Sequence, residues 1–156
     1  MVLSIHLDAS YLSGIGAKSR MAGQYFLGSM PRKDKPIALN GAIFVFCGIL
    51  KIVALLAAAV ELGALFLNGK EGKILRLTLE EMGHLQPPTP VHCDNHTATG
   101  IANNTLKKQR SRLMEMQFFW VADKVKMEIL MCSGTQARRT LLIISPSISL
   151  ECTIKR

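Results

Sequence analysis

The amino-acid sequence predicts an α/β protein in which helices pack on a five-stranded sheet. Segments rich in β-branched and aromatic residues alternate with Ala/Leu-rich segments in the order βββαβαβ, which indicates strands and helices layered in one domain. The 156 residues suffice for a core without disulfide or metal staples. The hydrophobic share of 49% and the mean hydropathy of +0.24 require part of the chain to be deeply buried.

The first third of the chain predicts an antiparallel meander of three strands. Residues 3–9 alternate loosely between apolar and polar side chains and predict the first strand, which a turn at 13–16 follows. Residues 21–29 suit a second strand, and the polar loop MPRKDKP separates it from a third strand at 42–49.

A long apolar run at 41–67 allows two interpretations. Its length would span a bilayer, but Lys51 and Glu61 interrupt it, and each charge would be costly in hydrocarbon. The first half is β-prone and the second half is helix-prone. We therefore interpret the run as a buried strand followed by a core helix, in preference to a membrane span.

Helical segments and two short strands fill the rest of the chain. Residues 54–69 carry apolar side chains on every face, as a helix packed on a sheet does, and a second helical stretch is predicted at 71–82 with Gly83 as its stop. The segment QPPTP cannot be helical, so a fourth strand is predicted at 91–93, ending at Asp94. The remaining predicted elements are a short helix at 97–103, a helix at 112–126 with Ser111 as its N-cap, and a fifth strand at 128–132.

The charge balance favours a polyanionic partner. The net charge is +8 and the isoelectric point is near 9.6, and nucleic acid is the commonest partner of such a chain. The denser of two basic clusters is the predicted nucleic-acid-binding surface and consists of Lys107, Lys108, Arg110 and Arg112. The alternative is a solvated loop before a helix, which occurs at least as often.

Cysteine and histidine spacing does not predict a zinc site. The four cysteines contain no CxxC pair, and no histidine lies at ligand spacing from them. We expect reduced thiols and an intracellular protein. Packing or surface roles are favoured over acid–base chemistry for the histidines, and the aromatic cluster around Trp120 is interpreted as core in preference to a base-stacking surface.

Three acidic residues lie at the end or the edge of apolar segments that are far apart in the chain. They are Asp8, Glu61 and Asp94. Hard cations such as Mg²⁺ take oxygen ligands, and these acids can converge only if the two strands are neighbours and the helix packs over them. That convergence would be the geometry of a metal-dependent nuclease. The alternative is that three of the 11 acids fall at element ends by chance.

Four segments resemble the ribonuclease H domain at the C-terminal end of the polyprotein of copia-type retrotransposons. They are HLDASY, AAAVELGALFLN, LEEMGHLQPPTPVHCDNHTATGIANN and KKQRSRLMEMQFFWVADKV. The resemblance implies a ribonuclease H-like fold with a mixed sheet, and cleavage of the RNA strand of RNA–DNA hybrids with two Mg²⁺ ions held by four carboxylates. Asp8, Glu61 and Asp94 match the first three carboxylates. An adjoining reverse transcriptase is an expected partner, and no stable membrane association is expected.

The C-terminal segment departs from the family pattern. The family's fourth acid follows the last strand, whereas this chain has no aspartate after Asp123. We therefore expect a ribonuclease H-like domain at 1–133 and a divergent, poorly packed tail at 134–156, as in a degenerate copy. Loss of the fourth carboxylate would impair cleavage. The alternatives are a non-catalytic basic nucleic-acid-binding remnant and a small membrane-associated protein built around 41–67.

Overall fold

A mixed five-stranded sheet with two helices forms the described part of the protein. The computed structural model describes residues 1–14, 16–29, 41–51, 57–94, 100 and 112–134. The strands are β1 (Val2–Gly14), β2 (Lys18–Gly28), β3 (Phe44–Ile49), β4 (Thr89–Cys93) and β5 (Leu130–Gly134), and the helices are α1 (Ala57–Glu81) and α2 (Arg112–Lys126). The predicted α/β class is confirmed.

The sheet order is β3-β2-β1-β4-β5, which places β1 at the centre. The pairs β1/β2 and β2/β3 are antiparallel, so the predicted meander is confirmed. The pairs β1/β4 and β4/β5 are parallel, and His6 lies opposite His92 in the β1/β4 pair. Because parallel strands run in the same direction, the carboxyl ends of β1 and β4 point to the same edge of the sheet.

The hydrophobic core lies between α1 and the sheet, with α2 packed beside α1. Helix α1 has no exposed stripe in its first half, where every residue from Ala59 to Leu65 is buried. The largest fully buried apolar side chains are Leu3, Ile5, Tyr25, Leu62, Leu65, Val91, Val121 and Leu130. Among the described helices, none has both the length and the apolar composition needed to cross a bilayer.

The predicted break between two helices near residue 70 is wrong, because α1 is continuous. Its two central glycines are packing positions. A Cβ at Gly69 would lie 3.2 Å from Leu130 and 3.3 Å from Trp120, and a Cβ at Gly72 would overlap the Cδ1 atom of Ile5. Glycine here allows the helix to approach β1 and α2 closely, which outweighs its low helix propensity.

Other boundaries differ by a few residues. β1 and β2 extend further toward their shared turn than predicted, β4 begins at Thr89, and β5 runs to Gly134, which places that glycine in the sheet. The predicted tail at 134–156 lies outside the described residues apart from Gly134, and so do the loop at 30–36 and the cap Ser111. The short helix predicted at 97–103 also lies outside them, except for Gly100, which is helical.

A side-chain network connects α1 to the segment before β4. The Arg76 guanidinium donates to the carbonyl oxygens of Pro87 and Gln86, the latter at 2.5 Å, and forms an ion pair with Glu80 at 3.0 Å. The side-chain oxygen of Gln86 accepts a hydrogen bond of 3.0 Å from the backbone N–H of Leu3. The network therefore sets where β4 begins relative to both β1 and α1.

We expect Arg76→Met to lower the free energy of unfolding by about 2 kcal/mol, because two backbone carbonyls lose charge-assisted hydrogen bonds. Glu80→Gln is the matched control, since it removes only the partly exposed ion pair and should cost less than about 0.5 kcal/mol. Urea unfolding followed by circular dichroism measures both. Equal losses in the two variants would show that the carbonyl contacts contribute nothing.

Candidate metal centre

Two of the predicted acids lie at matching positions on the central parallel strands. Asp8 lies two residues after His6 in β1, and Asp94 lies two residues after His92, immediately past the end of β4. Since His6 and His92 are directly opposite each other, the register that pairs the strands also brings the two carboxylates together at one edge of the sheet. Both residues are partly exposed, as a site that admits a ligand requires.

The third predicted acid reaches the same edge from the helix. Glu61 lies in the second turn of α1, and its side chain is buried, with only 8% of the residue exposed. The Cys93 thiol donates a long hydrogen bond of 3.9 Å to Glu61 Oε2. The potential ligand atoms of Glu61, Cys93 and Asp94 all lie within 4.8 Å of one another. The structure therefore brings Glu61 and Asp94 together.

Burial, together with the charges of neighbouring acids, raises the pKa values of Glu61 and Asp8. Burial, followed by the negative charges of Asp94 and Asp8, raises the pKa of Glu61 to about 8, although the hydrogen bond from Cys93 opposes the shift. Burial and the charge of Asp94 raise the pKa of Asp8, while a backbone hydrogen bond from Ala9 opposes this. The structure thus places Asp8 within electrostatic range of both other acids.

No cationic side chain among the described residues forms an ion pair with Asp8, Glu61 or Asp94. One oxygen of Asp94, Oδ1, is buried and accepts no hydrogen bond from the part of the chain that the structure describes. A buried carboxylate oxygen without a donor is costly unless a proton or a cation satisfies it. The donor set therefore fits a divalent cation, because it offers converging oxygens and uncompensated negative charge.

Cys93 is the member of this cluster that sequence reasoning missed. The cysteine pattern that predicts a metal site is CxxC, and Cys93 has no cysteine near it in the chain. The signal available was its position directly before Asp94. As the last residue of β4, it points to the α1 side of the sheet and meets Glu61.

The predicted nucleic-acid-binding cluster is not described by the structure. Lys107, Lys108 and Arg110 lie outside the described residues, and Arg112 is described only as the first residue of α2. The region after β5, where the family's fourth acid would lie, is outside them too. These assignments stay predictions.

The described histidines of the sheet have packing roles. His6 stacks on His92 with ring centroids 4.5 Å apart and meets the edge of Phe26 at 5.3 Å. Burial and the neighbouring His92 lower the pKa of His6 to about 4. His6 is therefore neutral at physiological pH. This is consistent with the sequence interpretation.

The other side chains considered in the sequence divide between core and surface. Trp120 is partly buried and packs edge-on against Phe66 at 5.3 Å, whereas Phe119 is 56% exposed. Cys93 and Cys132 form no disulfide. Cys47 is disulfide-bonded, so the expectation that the thiols are reduced is wrong for this cysteine.

Comparisons with known proteins find one similar fold and a similar sequence in a retrotransposon polyprotein. No family model matches the chain. In an alignment of 105 residues that covers 62% of the chain, the sequence is 29% identical to the Retrovirus-related Pol polyprotein from transposon TNT 1-94 of Nicotiana tabacum. The match spans 8% of that polyprotein.

Two similar solved structures are of one protein, LC11-RNase H1, isolated from compost by a metagenomic approach. One covers 90% of this chain and 91% of its own, with a TM-score of 0.57 and 14% identity. The other, in complex with an RNA/DNA hybrid, covers 88% and 89%, with a TM-score of 0.55 and 12% identity. The chain therefore has the ribonuclease H-like α/β fold, and its match to a retrotransposon Pol polyprotein confirms the resemblance to retroelement ribonuclease H domains.

Proposed function

We propose that this chain is a retroelement ribonuclease H domain that hydrolyses the RNA strand of RNA–DNA hybrids, with Asp8, Glu61 and Asp94 as its catalytic metal ligands. The observation that carries the proposal is the convergence of three acids from β1, α1 and β4 without a described cationic partner. A stability role alone does not account for it, because unpaired buried carboxylates destabilise a fold.

Mg²⁺ is the proposed cofactor. It prefers oxygen ligands and keeps several waters, which suits a site of two or three carboxylates at a partly open sheet edge. When bound, such ions supply an activated water and stabilise the oxygen that leaves the phosphate. Asp8 from the middle of β1 and Asp94 from just past the end of β4 would hold the cation, and Glu61 would reach it from α1.

The protein groups around these ligands control their orientation and charge. The Cys93 thiol donates to one oxygen of Glu61, which leaves the other oxygen for a ligand. Because the pKa of Glu61 is about 8, this carboxyl group holds a proton at neutral pH in the metal-free protein. Cation binding at neutral pH would therefore release that proton, so we propose that metal affinity increases as the pH approaches 8.

Cleavage by this chain is proposed to be weak. No aspartate follows Asp123, so the fourth carboxylate that the family uses for its second ion has no counterpart of the same type. The net charge of +8 still favours binding to a nucleic-acid hybrid, with Lys107, Lys108, Arg110 and Arg112 contacting phosphates. Because weak cleavage is combined with a charge that favours binding, the second candidate function is a non-catalytic binder of nucleic acid.

The polyprotein match suggests a partner and a cellular location for the domain. Since the match spans a small part of a Pol polyprotein, we propose an adjoining reverse transcriptase as a partner that supplies the RNA–DNA hybrid. Hybrid of this kind is made inside cells, so we propose an intracellular location.

The test uses a labelled RNA–DNA hybrid. We expect binding that weakens steeply with salt, and Mg²⁺-dependent cleavage near background that rises when an aspartate is restored as Ala137→Asp, outside the described residues. Adding Asp94→Asn to the restored chain should abolish the gain. The matched control is Asp123→Asn, which changes an exposed acid on α2 that pairs with Lys124 at 2.7 Å.

The alternatives give different results in the same assay. Salt-sensitive binding without cleavage in either chain would favour the non-catalytic binder. Cleavage that survives Asp94→Asn would place the chemistry elsewhere and would overturn the proposed site.

A further inference from the structure

We propose that Glu61, Cys93 and Asp94 form a binding site for a thiophilic divalent cation of the zinc class. The ligands are one thiolate and two carboxylates. Zinc binding at this site stands on geometry alone. A consequence, competition between Zn²⁺ and Mg²⁺ for the two carboxylates, rests on the proposed function.

The spacing of the donor atoms suits a single small cation. Cys93 Sγ lies 3.9 Å from Glu61 Oε2, and all three ligand atoms lie within 4.8 Å of one another. Zinc binds sulfur at about 2.3 Å and carboxylate oxygen at about 2.0–2.2 Å, which separates two tetrahedral ligands by roughly 3.5 Å. The donor atoms would have to approach one another by at most roughly 1.3 Å to meet this requirement. Asp94 Oδ1 supplies an oxygen that accepts no hydrogen bond from any described residue.

The ligands are held by elements that pack against each other. Cys93 is the last residue of β4 and is 1% exposed, while Glu61 is on α1 and is 8% exposed. Buried donors are already partly desolvated, so less solvation is lost when they bind a cation. Three protein ligands with Asp94 at a partly exposed position leave the fourth coordination position of a tetrahedral ion to water.

Sulfur determines which cation the site selects. A thiolate is a soft ligand that favours Zn²⁺ and Cd²⁺, whereas Mg²⁺ takes oxygen ligands in an octahedron. Glu61 and Asp94 can serve either kind of ion, but Cys93 joins only the thiophilic one. Cys93 therefore gives this site an affinity for zinc-class ions that carboxylates alone would not provide.

Cadmium reports the thiolate directly. Metal-stripped protein titrated with Cd²⁺ is expected to develop the ultraviolet cadmium–thiolate absorption band with one ion per chain. The band should vanish in Cys93→Ser and persist in Cys132→Ser, the matched control. Cys132 is buried in β5 and forms no disulfide, but it lies outside the donor group.

Zinc affinity provides a second measurement. We expect Zn²⁺ binding, measured by calorimetry, to weaken more than about tenfold in Cys93→Ser, because loss of even an outer-sphere partner costs that much. Circular dichroism verifies that the variant is folded, and Cys93→Ala replaces it if it is not. A cadmium band that persists without Cys93, or one that depends on Cys132, would overturn the proposed site.

Magnesium competition separates this inference from the proposed function. Excess Mg²⁺ should weaken Zn²⁺ binding to the unmodified chain, and Glu61→Gln should weaken both ions. If Zn²⁺ binds through Cys93 and Mg²⁺ does not compete, the zinc site stands and the proposed Mg²⁺ site fails. If Zn²⁺ does not bind but hybrid cleavage depends on Mg²⁺ and Asp94, the zinc inference fails alone.

Discussion

Gly23→Ala is expected to lower the free energy of unfolding by about 3 kcal/mol. Gly23 lies in β2 between Leu7 of β1 and Phe46 of β3, under the side chain of Asn68 from α1. A Cβ at this position would overlap Asn68 Oδ1. The sheet and the helix cannot keep their present separation if that methyl group is added.

Asn68 cannot move aside without losing hydrogen bonds. It is fully buried, its amide nitrogen donates to the Ala64 carbonyl at 2.9 Å, and its Oδ1 accepts from the Tyr25 hydroxyl at 2.9 Å. A rotated side chain would leave these groups unsatisfied in the core, which adds to the steric cost. The overlap is therefore with a rigid side chain and not with a flexible one.

Gly28→Ala is the matched control, because the same substitution in the same strand meets no atom within 4 Å. It should change the free energy of unfolding by less than about 0.5 kcal/mol. Denaturant unfolding measures both variants. In the double variant with Asn68→Ala, the loss should be smaller than the sum of the single losses, because the overlap is removed. Equal stability of Gly23→Ala and Gly28→Ala would contradict this account of the helix–sheet contact.

Glu61→Gln is expected to stabilise the metal-free protein by about 5 kcal/mol at about pH 9 and to leave its stability nearly unchanged at about pH 4. The pKa of Glu61 is raised from 4.5 to about 8 in the folded state. Between these values the folded protein holds a proton that the unfolded chain has released, so stability falls as the pH rises through this window. A glutamine resembles the protonated acid and does not titrate.

Two comparisons isolate the contribution of Glu61 to the pH dependence of stability. The lowered pKa values of His6 and His92 change stability in the opposite direction, because stability is lost as the pH falls below 6.5. Both chains contain these histidines, so their contribution cancels in the difference between the two unfolding free energies. Glu80→Gln, on the same helix and partly exposed, is the matched control. Unfolding free energies across the pH range test this. A difference that does not grow between pH 4.5 and about 8 would mean that Glu61 is not buried beside like charges.

A divalent cation should reduce or reverse the stability difference between Glu61→Gln and the unmodified chain. Mg²⁺ bound to the carboxylates would stabilise the folded unmodified chain by mass action, whereas Glu61→Gln has lost a ligand and should gain less. The stabilising effect of the variant would then shrink or change sign as Mg²⁺ is added. This measurement requires no cleavage, so it remains informative for a weakly active domain.

The strand pattern could be predicted because it depends on local properties. Alternating and continuous apolar segments indicated the meander, and an acid at the end of each apolar segment indicated a candidate site. Helix α1 was predicted as two pieces because glycine has a low helix propensity in any isolated segment. Only the packed structure shows that Gly72 lies against Ile5, where glycine is required.

The sequence by itself determined the α/β class, the three acids and the resemblance to retroelement ribonuclease H domains, because periodicity and short motifs are readable along the chain. The tertiary structure decided which side chains meet. The parallel register that sets His6 opposite His92 brings Asp8 and Asp94 to one edge, and the packing of α1 on β4 sets Glu61 beside Cys93. Contacts and shared electrostatics of this kind depend on distances between residues remote in the chain, which no local pattern encodes.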